Sequence, residues 1–269
     1  MSSQQHSEHA KGTVVVTGAS SGIGYELSRV FAENGYPLLL VARNREKLQA
    51  LAQELQAAHH VAVSTCVADL AVSDGARQVV DAAHQLGRPV EILVNNAGFG
   101  VYGPFIEADV DATLQMLQVN VVSLTHLTRL LLPEMVQRNS GRILNVASVA
   151  AFVPGPFMAV YYASKAYVLH FSEALDEELS GSNVRVTALC PGPTATGFES
   201  RAGLGKSKLF SSQKVMDART VAEDGYRGLM RGRRLVVPGW RNKLVTESTR
   251  LSPRWLLAKI ARRLQEPRS

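Results

Sequence analysis

The chain has 269 residues, of which 46% are hydrophobic and 19% charged. That composition is globular, sized for one large α/β domain or two small ones, and it excludes a disordered, collagen-like or coiled-coil chain. The net charge of +6 is uneven: residues 1–224 hold 17 Lys and Arg against 21 Asp and Glu, whereas residues 225–269 hold 12 against 2. Two cysteines, Cys66 and Cys190, cannot make a disulfide framework, and their apolar settings read as reduced core positions. Met1–Gly12 is polar and offers no signal peptide, and no apolar run reaches the ~18–20 residues of a membrane span. A soluble cytoplasmic protein is the expectation.

Short apolar runs alternate with longer amphipathic stretches from Thr13 to Val237. Thr13–Thr17 reads as a strand and Gly22–Asn34 as a helix with Ile23, Leu27, Val30 and Phe31 on one face. A strand over Pro37–Ala42, a helix from Asn44 through Ala57 and a third strand over Val61–Val67 follow. A helix over Gly75–Leu86 leads to a fourth strand, Glu91–Asn95. Ala108–Arg138 reads as a long helix broken or ended near Pro133. Then come a fifth strand (Gly141–Ala147), a second long helix (Tyr161–Ser180), a sixth strand (Val184–Cys190) and a seventh (Arg234–Val237). Continuous apolar strands are buried on both faces, so the pattern predicts a single doubly wound parallel sheet with helices on each side, the Rossmann type. The expected organisation is a flexible N-terminus over 1–11, one domain over 12–240 and a basic helical extension over 241–269. Gly197–Lys214, rich in Gly, Ser and Lys, reads as a loop or lid.

Thr17-Gly18-Ala19-Ser20-Ser21-Gly22-Ile23-Gly24 closes the first strand and opens the first helix. Glycines there let the backbone approach a pyrophosphate, and the helix N-terminus supplies amide donors. An acid at the end of the second strand would hold the 2′-hydroxyl of NAD. This chain has Val41-Ala42-Arg43 instead, and a guanidinium suits a 2′-phosphate, hence NADP(H).

Thr17–Gly24, Asn95-Asn96-Ala97-Gly98, Asn120, Ser148, Tyr161-x-x-x-Lys165 and Pro191-Gly192, in that order and at matching strand ends, resemble the classical short-chain dehydrogenase/reductase family. The resemblance covers roughly residues 11–240 and implies an oxidoreductase, which the Arg43 reading makes NADP(H)-dependent. It implies cofactor contacts at Gly18, Ser20, Ser21, Gly22, Ile23, Gly24, Arg43, Asp69, Leu70, Asn96, Ala97, Gly98, Tyr161, Lys165, Pro191, Gly192, Thr194 and Thr196.

The resemblance assigns catalysis to Asn120, Ser148, Tyr161 and Lys165. Tyr161 is the expected proton donor; a phenol titrates near ~10, and an ammonium one helical turn away would lower that value. Tyr162 is a rival by spacing, and the family pattern selects Tyr161. Ser148 is the expected carbonyl-polarising hydroxyl, and Asn120 the anchor of a water relay to Lys165. Neither a metal cluster nor a Ser-His-acid arrangement is spelled by the histidines; His59-His60 reads as a helix end.

A hydrophobic ketone or aldehyde substrate is expected among Phe99, Val101, Tyr102, Phe105, Val149, Phe152, Val153, Pro154, Phe157, Met158, Phe198, Leu204 and Leu209, with Ser148 at the reacting end. In the tail, a helix starting at Ser252-Pro253 gathers Leu256, Leu257, Ile260, Ala261 and Leu264 on one face. Three readings of that helix stand side by side: packing on the protein or a sister subunit, peripheral contact with an anionic membrane, or a loosely ordered charged tail. Nucleic acid is not an expected partner, because no recognition module accompanies the charge; a homodimer or homotetramer through the two long helices is. The alternatives to a carbonyl reductase are a catalytically idle dinucleotide-bound sensor or scaffold and a membrane-associated lipid or steroid-type reductase.

Overall fold

In the computed structural model of the chain, residues 11–198, 215–249 and 252–266 are described. The seven strands are β1 (Thr13–Thr17), β2 (Leu38–Ala42), β3 (Val63–Val67), β4 (Val90–Asn95), β5 (Gly141–Val146), β6 (Val184–Leu189) and β7 (Leu235–Val236). They form one parallel sheet in the order β3-β2-β1-β4-β5-β6-β7. Successive strand residues point to opposite faces, so Val14 and Val16 enter one core cluster and Val15 the other. The first cluster takes Leu27 and Phe31 of α1 (Gly22–Glu33), Leu48 and Leu55 of α2 (Arg45–His59), and Val221 and Leu229 of α7 (Ala218–Met230). The second takes Val79 and Ala83 of α3 (Gly75–His84) and Leu127 and Leu131 of α5 (Leu124–Gln137). A third cluster packs Val168 and Leu169 of α6 (Ala159–Glu178) on Ala188 and Cys190. The predicted doubly wound Rossmann-type architecture is the architecture found.

β1 lies between β2 and β4, and the chain leaves it in one direction before β4 and in the other after it. The carboxyl ends of β1 and β4 therefore open a crevice, where such sheets bind ligands. A buried polar ladder sets the depth of α6 below that crevice. Asn95 donates to Asn145 (2.9 Å) and Thr128 (3.1 Å), and Asn145 donates to Ser172 of α6 (2.9 Å). Asp176, near the far end of α6, accepts from the Val186 amide at 2.9 Å and pairs with Arg234 at 2.9 Å.

Several sequence expectations change. β3 is an edge strand with alternating burial, and Val67 is 38% exposed, so it is not buried on both faces. Cys66 on that strand is correspondingly only partly buried, unlike Cys190. The helix expected over Ala108–Arg138 does not break at Pro133. It starts as α4 (Val110–Leu117), widens into a π-helical turn over Gln118–Ser123 and continues as α5 through Pro133 to Gln137. Burial of Leu131 and Met135 on either side of the proline holds the helix to the sheet and offsets the missing N–H. The irregular turn lies at Asn120 instead, whose amide is taken up by the Phe99 backbone. The tail carries two helices, α8 (Trp240–Thr249), which the pattern did not announce, and α9 (Arg254–Gln265). Most of Gly197–Lys214 falls outside the described residues.

Candidate active site

A cleft of about 1030 Å³ runs along the carboxyl edge of the sheet. Its floor begins at the β1–α1 turn. Gly18 and Gly22 have φ of 66° and 60°, a region that disfavours residues with a Cβ. Gly18, Ser20, Ser21, Gly22 and Ile23 line the cleft. Gly24 does not: a Cβ there would lie 2.5 Å from the Gly18 carbonyl oxygen and 2.3 Å from Asn96 Nδ2, so it is glycine to let α1 dock under the turn. Asn96 ties the two strand ends together. Its Nδ2 donates to the carbonyl of Thr17 (2.9 Å), and the Thr17 hydroxyl accepts from the amides of Asn96 and Ala97 (both 3.0 Å).

At one end of the cleft stand Arg43 and Asp69, with Leu70 buried beneath. Asp69 Oδ1 accepts from the Ala71 amide at 2.9 Å, which fixes the loop after β3. Asn44 and Lys47 also line this end, and the sequence reading missed both. Asn44 caps α2 by accepting from the Lys47 amide (2.8 Å), so the cap itself presents a second cation beside Arg43. Ala97 and Gly98 line the middle, and Pro191, Gly192, Thr194 and Thr196 the opposite wall. A Cβ on Gly192 would lie 2.6 Å from Asn242, so α8 rests on that glycine.

Tyr161 and Lys165 share one face of α6 and both reach the cleft, as does Ser148 after β5. The Lys165 ammonium donates to the Val146 carbonyl at 2.8 Å and sits 5.9 Å from the Tyr161 ring centre. Ser148 Oγ accepts from the Ala150 amide at 3.1 Å. Asn120 does not line the cleft. It is buried behind Gly98, whose Cβ would lie 3.0 Å from Asn120 Oδ1 and 3.4 Å from Lys165 Nζ. Its amide donates to the Phe99 carbonyl (2.9 Å) and to Ser164 (3.1 Å), whose hydroxyl donates to the Tyr161 carbonyl (2.7 Å). Asn120 thus braces the turn of α6 that carries both side chains.

The electrostatics differ from the expectation that Lys165 acidifies Tyr161. Burial pushes the Tyr161 phenol above its ordinary value; hydrogen bonding with Ser148 pulls it down, and Tyr162 adds to the rise. Burial also lowers Lys165 to about 8, because a charged amine is disfavoured away from water. Cys190, under the same floor, is pushed up to about 12 by burial and stays a thiol.

Of the expected substrate residues, Phe99, Val149, Phe152, Val153, Met158 and Phe198 line the cleft, and Phe198 packs its ring 5.3 Å from that of Tyr161. Phe152 gets there on a short 3₁₀ turn, Val149–Phe152, that follows β5. Phe157 does not line the cleft. A left-handed turn at Phe157 (φ 65°) lets its carbonyl accept from Gly103 at 2.9 Å, and it joins Val101 and Phe105 around a separate hollow of about 30 Å³. Pro154 lies outside the cleft lining, and Leu204 and Leu209 lie outside the described residues. Further lining that sequence reasoning did not assign to the cleft comes from Tyr162, α8 and α9: Val245, Thr246, Leu257, Ile260, Ala261, Leu264 and Gln265. Leu257, Ile260, Ala261 and Leu264 of the expected α9 stripe thus line the cleft, while Leu256 and Ile260 stay 36% and 48% exposed. Its periodicity marked an apolar face, but nothing local names the surface it meets. Among the described residues no helix is long and apolar enough to cross a membrane, and no cluster of His, Cys, Asp and Glu suits a metal.

The geometry fits a nicotinamide dinucleotide. The backbone turn at Gly18–Ile23 offers an approach without side chains, cations stand at one end, and titratable hydroxyls stand at the other. The sequence profile of the short chain dehydrogenase family matches residues 12–207. A short chain dehydrogenase of Pseudocercospora fijiensis is 38% identical over 182 residues, 67% of this chain and 59% of that protein's length. A short-chain dehydrogenase from Sphingobium yanoikuyae in complex with NADPH superimposes with a TM-score of 0.80 at 33% identity, covering 89% of this chain and 94% of that one. A short chain dehydrogenase/reductase from Burkholderia phymatum in complex with NAD gives 0.80 at 26% identity, covering 96% and 98%. The chain belongs to the short-chain dehydrogenase/reductase family, oxidoreductases that use a nicotinamide dinucleotide to interconvert carbonyl and alcohol groups.

Proposed function

We propose that the protein is an NADP(H)-dependent reductase of bulky, apolar ketones or aldehydes. The observation that carries this reading is the meeting of Ser148, Tyr161 and Lys165 on the wall of one cleft whose other end holds Arg43 and Lys47. Two cations, with no acid at the end of β2, suit a 2′-phosphate better than a 2′-hydroxyl. The Sphingobium relative's NADPH agrees with this choice, and the NAD of the Burkholderia relative marks what the two cations must decide against.

When bound, the nicotinamide supplies a hydride to the carbonyl carbon. The chain supplies the rest. Ser148 donates to the carbonyl oxygen and stabilises the charge that gathers there. Tyr161 delivers the proton to that oxygen, and its raised phenol keeps the proton in place until the oxygen becomes basic enough to take it. Lys165, braced through Ser164 and Asn120, restores the proton to Tyr161. Phe99, Phe152, Met158 and Phe198 enclose the substrate body and keep water from the reacting carbon. Val122 and Tyr167, exposed on the π-helical turn and α6, support a homo-oligomer built through these helices.

Steady-state turnover of a panel of aryl ketones with NADPH and with NADH tests the proposal. NADPH should be preferred at least tenfold in kcat/KM, roughly one charge-assisted pairing's worth. Equal or better use of NADH would remove the role of Arg43 and Lys47, and NADPH binding without any consumption would favour the idle sensor. A second reading, membrane-associated lipid turnover, draws on Trp240 and Trp255, which are 67% and 63% exposed and lie beside Arg241 and Lys259. Co-sedimentation with anionic liposomes tests it; protein left in the supernatant would refute it.

A further inference from the structure

The helix that roofs the cleft carries one polar residue on its inner face. Leu257, Ala261 and Gln265 follow one another at four-residue spacing along α9, with Ile260 and Leu264 beside them, and all five line the cleft. Packing alone would be served by another apolar residue at position 265. Seating the helix does not require the side chain either, because the Tyr102 hydroxyl donates to the backbone carbonyl of Gln265 at 2.5 Å.

The side chain of Gln265 is fully buried, and its two ends are treated differently. Nε2 donates to the Tyr162 hydroxyl, which orients the amide. Oε1 is one of the few buried side-chain oxygens, among the described residues, that has no hydrogen-bond partner. A buried acceptor left unmet is destabilising, and the residue that carries it is among those that line the cleft, next to Leu264. The Tyr162 ring that holds it lies 6.0 Å from the Tyr161 ring, centre to centre.

We propose that Gln265 is the polar subsite of the substrate pocket: its amide receives a hydroxyl group carried by an otherwise apolar ketone or aldehyde, away from the carbonyl that is reduced. The substrate class is a bulky hydroxylated carbonyl compound. A hydroxyl both donates and accepts, so it satisfies whichever end of the amide faces it. Leu257, Ile260, Ala261 and Leu264 receive the apolar body, and Gln265 fixes which way round that body lies. This rests on the carbonyl-reductase reading above, and its test does not depend on turnover.

The Tyr161→Phe protein with NADPH bound is titrated with aryl alkyl ketones that end in a hydroxyl on chains of increasing length, each beside its methyl-ended counterpart. Binding is read from the change in NADPH fluorescence. At one chain length the hydroxylated ketone should bind about tenfold more tightly than its counterpart, as for one well-placed hydrogen bond. Gln265→Leu in the same background should bring that ratio to one while leaving the methyl-ended ketone's affinity intact, and Gln265→Met, which keeps the side-chain length, should repeat the result. Tyr102→Phe, which loosens the roof, should weaken both ketones alike. The proposal is overturned if no hydroxylated ketone binds more tightly at any length, if neither kind binds, or if the Gln265 variants weaken both in proportion. The reductase reading fails separately, when the wild-type protein binds these ketones and consumes no NADPH.

Discussion

The two ends of the cleft are made from different parts of the chain. At the glycine end the lining is largely backbone, drawn from one continuous turn, Gly18–Ile23, and locked by Asn96 to the neighbouring strand. At the substrate end it is side chains from segments far apart in sequence: Phe99, Phe152, Met158, Phe198 and the inner face of α9. Backbone recognition depends on close approach and tolerates no added atoms. Side-chain recognition depends on shape and tolerates exchange at the cost of selectivity. Substitutions at the first end should therefore remove function outright, and those at the second should redirect it.

Tyr161, which carries the reacting hydroxyl, should show the largest effect. Tyr161→Phe removes only the hydroxyl and should lower the rate of ketone reduction by about 10²–10⁴-fold, the usual reach of a general acid. NADPH affinity, measured by fluorescence, should stay close to wild type; retained turnover would pass the role to Tyr162. Next comes the backbone end. Gly22→Val places a branched side chain at φ 60° against Thr196, whose Cβ would be 2.7 Å from the added Cβ. Dinucleotide affinity should fall by about two orders of magnitude, from the ~1–3 kcal/mol of strain plus the lost approach. Normal affinity would mean that the turn does not cradle the pyrophosphate.

Arg43→Ala should produce a smaller, selective change: kcat/KM with NADPH should drop about tenfold while that with NADH changes little. An equal drop with both would assign Arg43 to the adenine or to folding. The mildest effect is one of pH. Burial holds Lys165 at about 8, below its ordinary 10.5, so the ammonium is intact below that pH and lost above it. Reduction at saturating NADPH should decline as pH rises through 8, and Lys165→Met should flatten this limb at a lower plateau. A profile level to pH 10 would show that the charge on Lys165 is not used. The same shift makes its contribution to stability rise with pH between 8 and 10.5, where the unfolded chain binds the extra proton.

The contrast between the two ends also explains what the sequence announced. Gly18, Gly22 and Gly24 sit within one turn, so their spacing carries the geometry with it, and the strand-helix alternation from Thr13 onward carries the sheet. Tyr161 and Lys165 are neighbours on one helix for the same reason. Phe157 was misplaced because a left-handed backbone angle at one residue turned it towards a separate hollow. The rise of the Tyr161 phenol came from burial, which depends on neighbours contributed by distant segments such as Phe198. The roof was legible as an amphipathic helix and illegible as a roof, since the hydrogen bond from Tyr102 that seats it spans more than a hundred residues of chain. Pro133 misled for a related reason: the burial of Leu131 and Met135 beside it is a tertiary fact.

The central claim is tested most directly with NADPH carrying deuterium at the transferable position of C4 and a bulky aryl ketone. Mass spectrometry of the product should find one deuterium on the carbinol carbon with the wild-type protein and about a hundredfold less alcohol, or lower still, in the same time with Tyr161→Phe, although both bind NADPH. An alcohol without deuterium, or equal product from the two proteins, would contradict the account.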